Sequence, residues 1–491
     1  MDRIHPDAVS VRSSHYIGGA YIDDQVAMEV RRPSDGKAYA GLPVADEAMV
    51  DRAVQDAWNA FKTSDWAQRA PRERARVMRR WADLIEADAP KLAPLETVGS
   101  TRPIRDALAW DIPFTAEGIR FFAEFADKHG GDVAATRSDT LGMTIAEPYG
   151  VIGAIAPWNF PLVMASWKIA PALAAGNAVV LKPSELTPFS VLRLAELAVQ
   201  AGMPAGIFNV IQGDGAITGD ALVRHPKIAK VTFTGSTRTG TAIMAACAHT
   251  GTKPVTLELG GKSPQVVFAD APDLDRTART IAGAIAGNAG QVCVAGSRLI
   301  VQRAAADRLV AGIVAAFAAL KAGHTWENDT TLPPIIRPSD ALRIDGVVQR
   351  TVAAGASLVC GGRLLPVAGE GAYYEPTLLS GVHSAMEAVR DEIFGPVLTL
   401  QVFDDEEEAL ALADHPSYGL AAGVHTADIG RALRFVRRIE AGTVWVNRYG
   451  RSNDFVIPTG GFKRSGVGKD LGRQAYEANL RFKSVLIDFA A

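Results

Sequence analysis

The sequence predicts an α/β protein built from two doubly wound domains. Short apolar runs alternate with helical stretches of ten or more residues from about residue 150, the pattern of a parallel sheet covered on both faces. A second series of the same kind begins after about residue 260. The chain of 491 residues is also too long for one small domain, and its 48% apolar and 21% charged residues are an ordinary globular composition.

Strand-like pieces over 16–30 come first. Val50, Ala53, Val54, Ala57, Trp58 and Phe61 then recur at helical spacing behind Asp46, a side chain suited to cap a helix. Val77, Met78, Trp81, Leu84 and Ile85 repeat the signal. Strand candidates follow at 151–156, 178–182, 208–211, 230–234, 255–258 and 265–268, with helices over 162–175, 188–201 and 240–248. The second series has helices over 274–289, 304–320, 341–354 and 404–413. Its strands are 298–301, 398–403 and 443–446. Loops rich in Gly and Pro fall at 361–376 and 447–472, and the boundary between domains is placed near residue 260. The segment 481–488 reads as a strand with no neighbour in sequence, a candidate for pairing with another subunit.

A net charge of −3 with no basic stripe argues against nucleic acid. Three cysteines give no disulfide framework and suit a reducing, cytoplasmic setting. Residues 1–16 lack the apolar centre of a signal peptide. Apolar stretches such as 309–320 fall short of the roughly 18 residues a spanning helix needs, so no membrane is expected. No His or Cys spacing suits a metal.

Cys293 lies in Gly290-Gln291-Val292-Cys293-Val294-Ala295-Gly296-Ser297-Arg298. A thiol between glycines is badly placed for core packing and well placed for a substrate. Its reactive form is the thiolate, favoured by positive surroundings or a nearby base. Cys247, on an apolar helical run, and Cys360, at the end of a strand-like run, read as structural. Glu258 interrupts an apolar strand just before Gly260 and Gly261; partial burial there would raise its proton affinity into the range of a general base. It reads equally well as a surface or capping residue. Asn159 stands between Pro157 and Pro161, so its amide is pre-aimed as an oxyanion donor would be, or is simply a turn Asn. Lys182, Ser184 and Glu185 follow a strand, where ligands of such sheets bind. Lys182 and Glu185 could hold ribose hydroxyls, and the Glu185 carboxylate would repel a 2′-phosphate, favouring NAD over NADP; the alternative is a solvated loop pair. Gly235-Ser236-Thr237-Arg238-Thr239-Gly240 joins a strand to a helix, a junction suited to pyrophosphate, although the spacing is not the usual fingerprint. Gly213-Asp214-Gly215 is a weaker sign of the same kind. Glu392 and Phe394 could grip a second ribose and a ring, or form an ordinary loop.

In this order and combination, with Gly460-Gly461-Phe462-Lys463-Arg464-Ser465-Gly466 near the end, the sequence resembles the aldehyde dehydrogenase superfamily from about residue 16 to 483. The resemblance implies two Rossmann-like domains and a small β oligomerisation element. The NAD-binding domain would span 1–125 and 149–259, the catalytic domain 260–470, and the oligomerisation element 126–148 and 471–491, giving homo-dimers or tetramers. The implied reaction is NAD(P)-dependent oxidation of an aldehyde to its acid. Cys293 matches the nucleophile, Asn159 the oxyanion donor and Glu258 the base that activates water. Asp470 stands where many members carry a proton-relaying Glu, one methylene longer. Trp158, Lys182, Ser184, Glu185, Gly215, Gly235, Ser236, Glu392 and Phe394 match cofactor contacts. Family geometry would line the substrate tunnel with Asp111, Phe114, Phe160, Met164, Trp167, Val292, Val294, Thr459 and the loop 448–458. Thr459 replaces an aromatic residue, and Ala286 and Gly287 are small where many members carry Phe. Asp111 resembles one of two acids seen in aminoaldehyde members, pointing to a polar or ω-amino aliphatic aldehyde. Arg448 and Arg451 would favour anionic aldehydes if they turned inward, and read rather as solvated. Glu258 favours hydrolysis over a coenzyme-A-acylating reaction; a thiol esterase would leave the nucleotide motifs without a role.

Overall fold

The computed structural model describes residues 4–367, 369–452 and 454–489. One sheet is ordered Ala20–Ile22, His15–Ile17, Phe208–Val210, Ala178–Lys182, Val151–Ile155, Ile228–Thr234, Val255–Glu258 and Gly466–Val467. The five strands from Phe208–Val210 to Val255–Glu258 in that order are parallel, and antiparallel strands close both edges. Val151–Ile155 and Ala178–Lys182 are buried at every position, because helices cover both faces; parallel strands of this kind read as unbroken apolar runs. The chain winds outward from Val151–Ile155 through Ala178–Lys182 and Phe208–Val210, then crosses to Ile228–Thr234 on the other side. That reversal opens a crevice at the carboxyl ends of Val151–Ile155 and Ile228–Thr234.

A second sheet is ordered Ser357–Cys360, Thr377–Ser380, Val397–Phe403, Arg298–Gln302, Pro264–Val267, Ala421–His425 and Thr443–Val446. All its pairings are parallel except the one made by Ser357–Cys360. Alternate residues point to opposite faces, as strand geometry requires. Val267, Leu299, Val301 and Leu398 pack with helices Leu274–Ala286 and Ala306–Ala318. Val266, Ile300, Phe403 and Val424 pack with helices Glu406–Ala413 and Ile429–Arg438.

The C-terminal strand Leu480–Asp488 finds its neighbour within the chain. It pairs antiparallel with Thr140–Pro148 along its whole length, and Val133–Ala134 completes a three-stranded sheet. Asp46 caps helix Glu47–Thr63, its Oδ1 accepting from the Met49 amide at 2.8 Å. Helix Leu274–Ala286 ends three residues short of the expected 289, because Asn288, Ala289 and Gly290 are all left-handed. Strand Ala421–His425 and helix Ile429–Arg438 were not expected from the sequence. None of the helices is long and apolar enough to cross a membrane among the described residues.

Candidate active site

A cavity of about 640 Å³ opens where the carboxyl edge of the first sheet meets the amino edge of the second. Glu258 ends a strand of the first sheet, while Cys293 and Glu392 precede Arg298–Gln302 and Val397–Phe403 of the second. Cys293, Glu258, Asn159 and Asp470, widely separated in sequence, all line this one cavity.

The thiol is aimed by a loop with an unusual backbone. Asn288, Ala289 and Gly290 have φ of 49°, 51° and 73°. A Cβ on Gly290 would lie 2.2 Å from the Gly395 carbonyl carbon, so only glycine fits. The Gln291 side chain is buried and donates to the carbonyls of Asn288 and Pro334, both at 3.0 Å, while accepting from the Ile336 amide at 2.9 Å. Asn288 accepts from Thr101 Oγ1 at 2.8 Å and donates to the Asn159 carbonyl at 3.0 Å. Sequence reasoning passed over both side chains, although an Asn within a glycine-rich break is a sign of left-handed backbone. Asn159 is fixed between its prolines, and Pro161 opens helix Pro161–Ala174. Its Nδ2 donates to the Gln291 carbonyl at 3.0 Å, which leaves its second N–H for another acceptor.

Cys293 is partly buried and lines the cavity. Loss of hydration, then the negative charges of Glu392 and Glu258, push the thiol up to about 12. The positive charge of Arg451 acts the other way but is outweighed, so a resting thiolate is not favoured. Glu258 is only 7% exposed, and its Oε1 is buried without a hydrogen-bond partner. Burial and the nearby Asp470 charge hold its carboxyl well above the usual carboxylate range. Asp470 is ion-paired to Lys168 at 2.6 Å and bridged by backbone bonds to Thr459. Lys230, beneath this group, is pushed down to about 8 by burial. Glu392 accepts from the Gly261 amide at 3.0 Å, and burial raises it to about 7. Cys247 and Cys360 lie outside this cavity, and burial raises both thiols.

A second cavity of about 490 Å³ occupies the crevice at the strand-order reversal. Lys182, Ser184, Glu185 and Gly215 line it, and Trp158, Gly235 and Ser236 line both cavities. Lys182 Nζ already donates to the Pro183 and Gly213 carbonyls at 2.8 and 2.7 Å and lies 3.4 Å from Glu185 Oε2. Ser236 caps helix Thr237–His249. Trp158 and Phe394 meet edge to face with centroids 5.4 Å apart, beside Glu392. Thr234 Oγ1 is buried without a partner at the strand end.

Phe160, Met164, Trp167, Val292, Val294 and Thr459 line the larger cavity. Asp111 and Phe114 do not, which corrects their expected place in the tunnel. Asp111 is fully buried and ion-paired to Arg102 at 2.8 Å. Phe114 packs among Trp110, Trp167 and Phe455. A π-helical turn over Ala107–Asp111 is wider than an α turn and changes which residues face the cavity. Trp110 takes the lining position instead. Arg448 is exposed, donating to the Gly450 carbonyl and Ser452 Oγ. Arg451 is not solvated as expected: it lines the cavity, with its guanidinium 5.3 Å from the Trp167 ring centre. Asn453, in the same loop, lies outside the described residues.

A model of the Aldehyde dehydrogenase family matches residues 21–485. The NADP/NAD-dependent aldehyde dehydrogenase PuuC of Escherichia coli is 40% identical over 486 residues, 99% of this chain and 97% of its own. Among solved structures, the P. syringae AldA indole-3-acetaldehyde dehydrogenase, a mutant in complex with NAD+ and IAA, has a TM-score of 0.96 at 41% identity, covering 98% of each chain. The gamma-glutamyl-gamma-aminobutyraldehyde dehydrogenase of Burkholderia cenocepacia has a TM-score of 0.95 at 41% identity, covering 99% of this chain and 98% of its own.

Proposed function

The chain belongs to the aldehyde dehydrogenase family and is an NAD(P)-dependent oxidoreductase acting on aldehydes; on that premise we propose that Cys293 and Glu258 carry its chemistry. The observation behind this is the unpartnered, buried Glu258 carboxyl in the same cavity as the Cys293 thiol. A thiol raised to about 12 needs a base, and a carboxylate of raised proton affinity is suited to act as one. Glu258 takes the thiol proton, directly or through water, as Cys293 Sγ bonds to the aldehyde carbon. The carbonyl oxygen becomes an oxyanion held by the free N–H of Asn159 and the Cys293 amide; one such donor is worth roughly 10²–10³ in rate. When bound, NAD(P)+ supplies the acceptor for the hydride that leaves this carbon, and Cys293 is left as a thioester. Glu258 passes the thiol proton to solvent and, as a carboxylate again, takes a proton from water, whose oxygen attacks the thioester carbon. The C–S bond breaks, the acid departs, and the sulfur recovers a proton from Glu258 to regenerate the thiol. Asp470, held by Lys168, keeps the proton affinity of Glu258 high.

The paired cavities suit a dinucleotide. Lys182, Ser184 and Glu185 would hold the adenosine ribose, and Gly215, Gly235 and Ser236 the pyrophosphate. Glu392 would hold the second ribose, with Phe394 and Trp158 beside the nicotinamide. The Glu185 carboxylate beside that ribose makes NAD the preferred form. Two Rossmann-like domains, divided near residue 260, frame the site. The three-stranded sheet is the surface for a homodimer or homotetramer, and three free cysteines suit the cytoplasm. The substrate is a polar-tailed aliphatic aldehyde, one derived from an amine being supported by the activity named for the Burkholderia neighbour. NADH formation against a panel of aliphatic, amino, acidic and aromatic aldehydes tests this reading. Wild-type enzyme turns over at least one class, and Cys293→Ala none. Normal NADH production by Cys293→Ala would overturn the assignment.

A further inference from the structure

Arg451 has no part in the reaction steps above. It lines the cavity beside Trp167, and its Nη2 is buried without a hydrogen-bond partner. Glu258, Asp454 and Asp470 are near enough for their charges to act on it, but among the described residues no ion pair to a carboxylate is formed. The acids nearby are otherwise engaged. Asp470 is paired to Lys168 at 2.6 Å, and Asp454 accepts from the Ser452 amide and hydroxyl, both at 2.9 Å. Burial keeps Glu258 biased towards its neutral form. Arg279, the other guanidinium lining the cavity, is exposed, and Arg102, behind the wall against the Phe160 ring, has Asp111 as its partner. Arg451 is partly buried, and a buried donor of a guanidinium is costly to leave open unless something anionic completes it.

Resting on the aldehyde dehydrogenase reading, we propose that Arg451 anchors a carboxylate at the far end of the substrate, so that the enzyme selects aldehydes with an anionic tail. The planar fork of Arg matches a carboxylate through two parallel N–H donors. Stacking on Trp167 limits the freedom of the fork before substrate arrives. Trp110, Phe160, Met164 and Trp167 offer an apolar wall for the stem between aldehyde and tail. A free ammonium at the tail would meet a like charge, so an amine-derived aldehyde is accepted with its nitrogen acylated and a carboxylate beyond it.

The test compares 5-oxopentanoate, pentanal and 4-(trimethylammonio)butanal as substrates of the full-length enzyme with NAD+, in wild type, Arg451→Gln and Arg451→Lys. The wild type prefers 5-oxopentanoate in kcat/KM. Arg451→Gln reduces the ratio of 5-oxopentanoate to pentanal by roughly 10- to 100-fold, mainly through KM, because a hydrogen bond to a charged group is lost. Arg451→Lys keeps part of the preference. Independently of any variant, glutarate competes with pentanal in the wild type. An unchanged ratio in Arg451→Gln, or no inhibition by glutarate, would overturn the proposal. Equal losses for all three substrates with a shifted pH profile would also overturn it, making Arg451 a partner of the Cys293 thiol instead. Failure of the wild type to oxidise any of the three would overturn the underlying reading as well.

Discussion

Glu392 is a carboxyl whose surroundings favour the proton. Burial lifts it to about 7, above the 4.5 of an unperturbed glutamate. Its contribution to folding is therefore complete below pH 4.5 and is lost as pH rises through 7. Glu392→Gln should be more stable than wild type at pH 8, by on the order of 1–2 kcal/mol because the cavity admits water. The two urea midpoints should converge at pH 4.5. A lower midpoint for the variant at pH 8 would contradict this. Glu258 must lose its proton to act as a base, so kcat/KM rises with pH through a limb lying above the ordinary carboxylate range. Asp470→Asn removes a charge that raises Glu258 and frees Lys168, which lowers it. The limb should then move to lower pH by roughly half to one unit; movement the other way would sink the assignment. Cys293 stands out in sequence as a thiol among glycines, whereas Asn159 between prolines and Glu258 at the end of an apolar strand read as readily as turn and surface residues, and only their order along the chain, through the family resemblance, gave them roles. Asp111 and Arg451 could not be placed, because their surroundings are set by other segments. Asp111 faces Arg102 across a π turn, and Arg451 rests on Trp167 from a distant helix.

At the scale of elements, the loop after helix Leu274–Ala286 controls where the thiol sits. Three successive left-handed residues turn the chain, and Asn288 and Gln291 tie it to Thr101, Asn159, Pro334 and Ile336. Gly290→Ala would push a methyl against the Gly395 carbonyl at a strained φ. It should cost on the order of 3 kcal/mol and lower NADH formation at least tenfold. Wild-type urea midpoint and rate in that variant would contradict the role given to the loop. Helical periodicity carried the expectation for 274–289 past the true end of the helix, since Ala289 continues the apolar spacing of Ile281, Ala282, Ile285 and Ala286 while the backbone at Asn288 and Ala289 departs from it. The strands Ala178–Lys182, Val255–Glu258 and Thr443–Val446 agree with their expected limits, because an apolar run bounded by glycine or proline leaves little choice of ends.

At the scale of the whole molecule, two sheets meet edge to edge and neither holds the site alone. Glu258 and Asn159 come from the first, Cys293 and Glu392 from the second, so the chemistry depends on their relative placement. The alternation of strands and helices made the parallel strands of the first sheet legible in sequence, but in the second it marked Pro264–Val267, Arg298–Gln302, Val397–Phe403 and Thr443–Val446 and passed over Thr377–Ser380 and Ala421–His425. The pairing of Leu480–Asp488 with Thr140–Pro148 was not legible from the strand itself, because nothing local marks so distant a partner. That small sheet exposes Phe482, Leu486 and Ile487, with Ile145 on its middle strand, apolar side chains that a second copy would cover. Light scattering behind size exclusion should find a dimer or tetramer, and Leu486→Lys should shift it toward monomer; a wild-type monomer at micromolar concentration would contradict the interface. The central claim is that Cys293 carries the substrate as a thioester that Glu258 releases. Acid quench and peptide mass spectrometry of Glu258→Gln, after mixing with aldehyde and NAD+, tests it most directly. The account predicts the mass of the substrate acyl group on the Cys293 peptide, with NADH formed in no more than stoichiometric amount. An unmodified Cys293 peptide with sustained NADH production would contradict it.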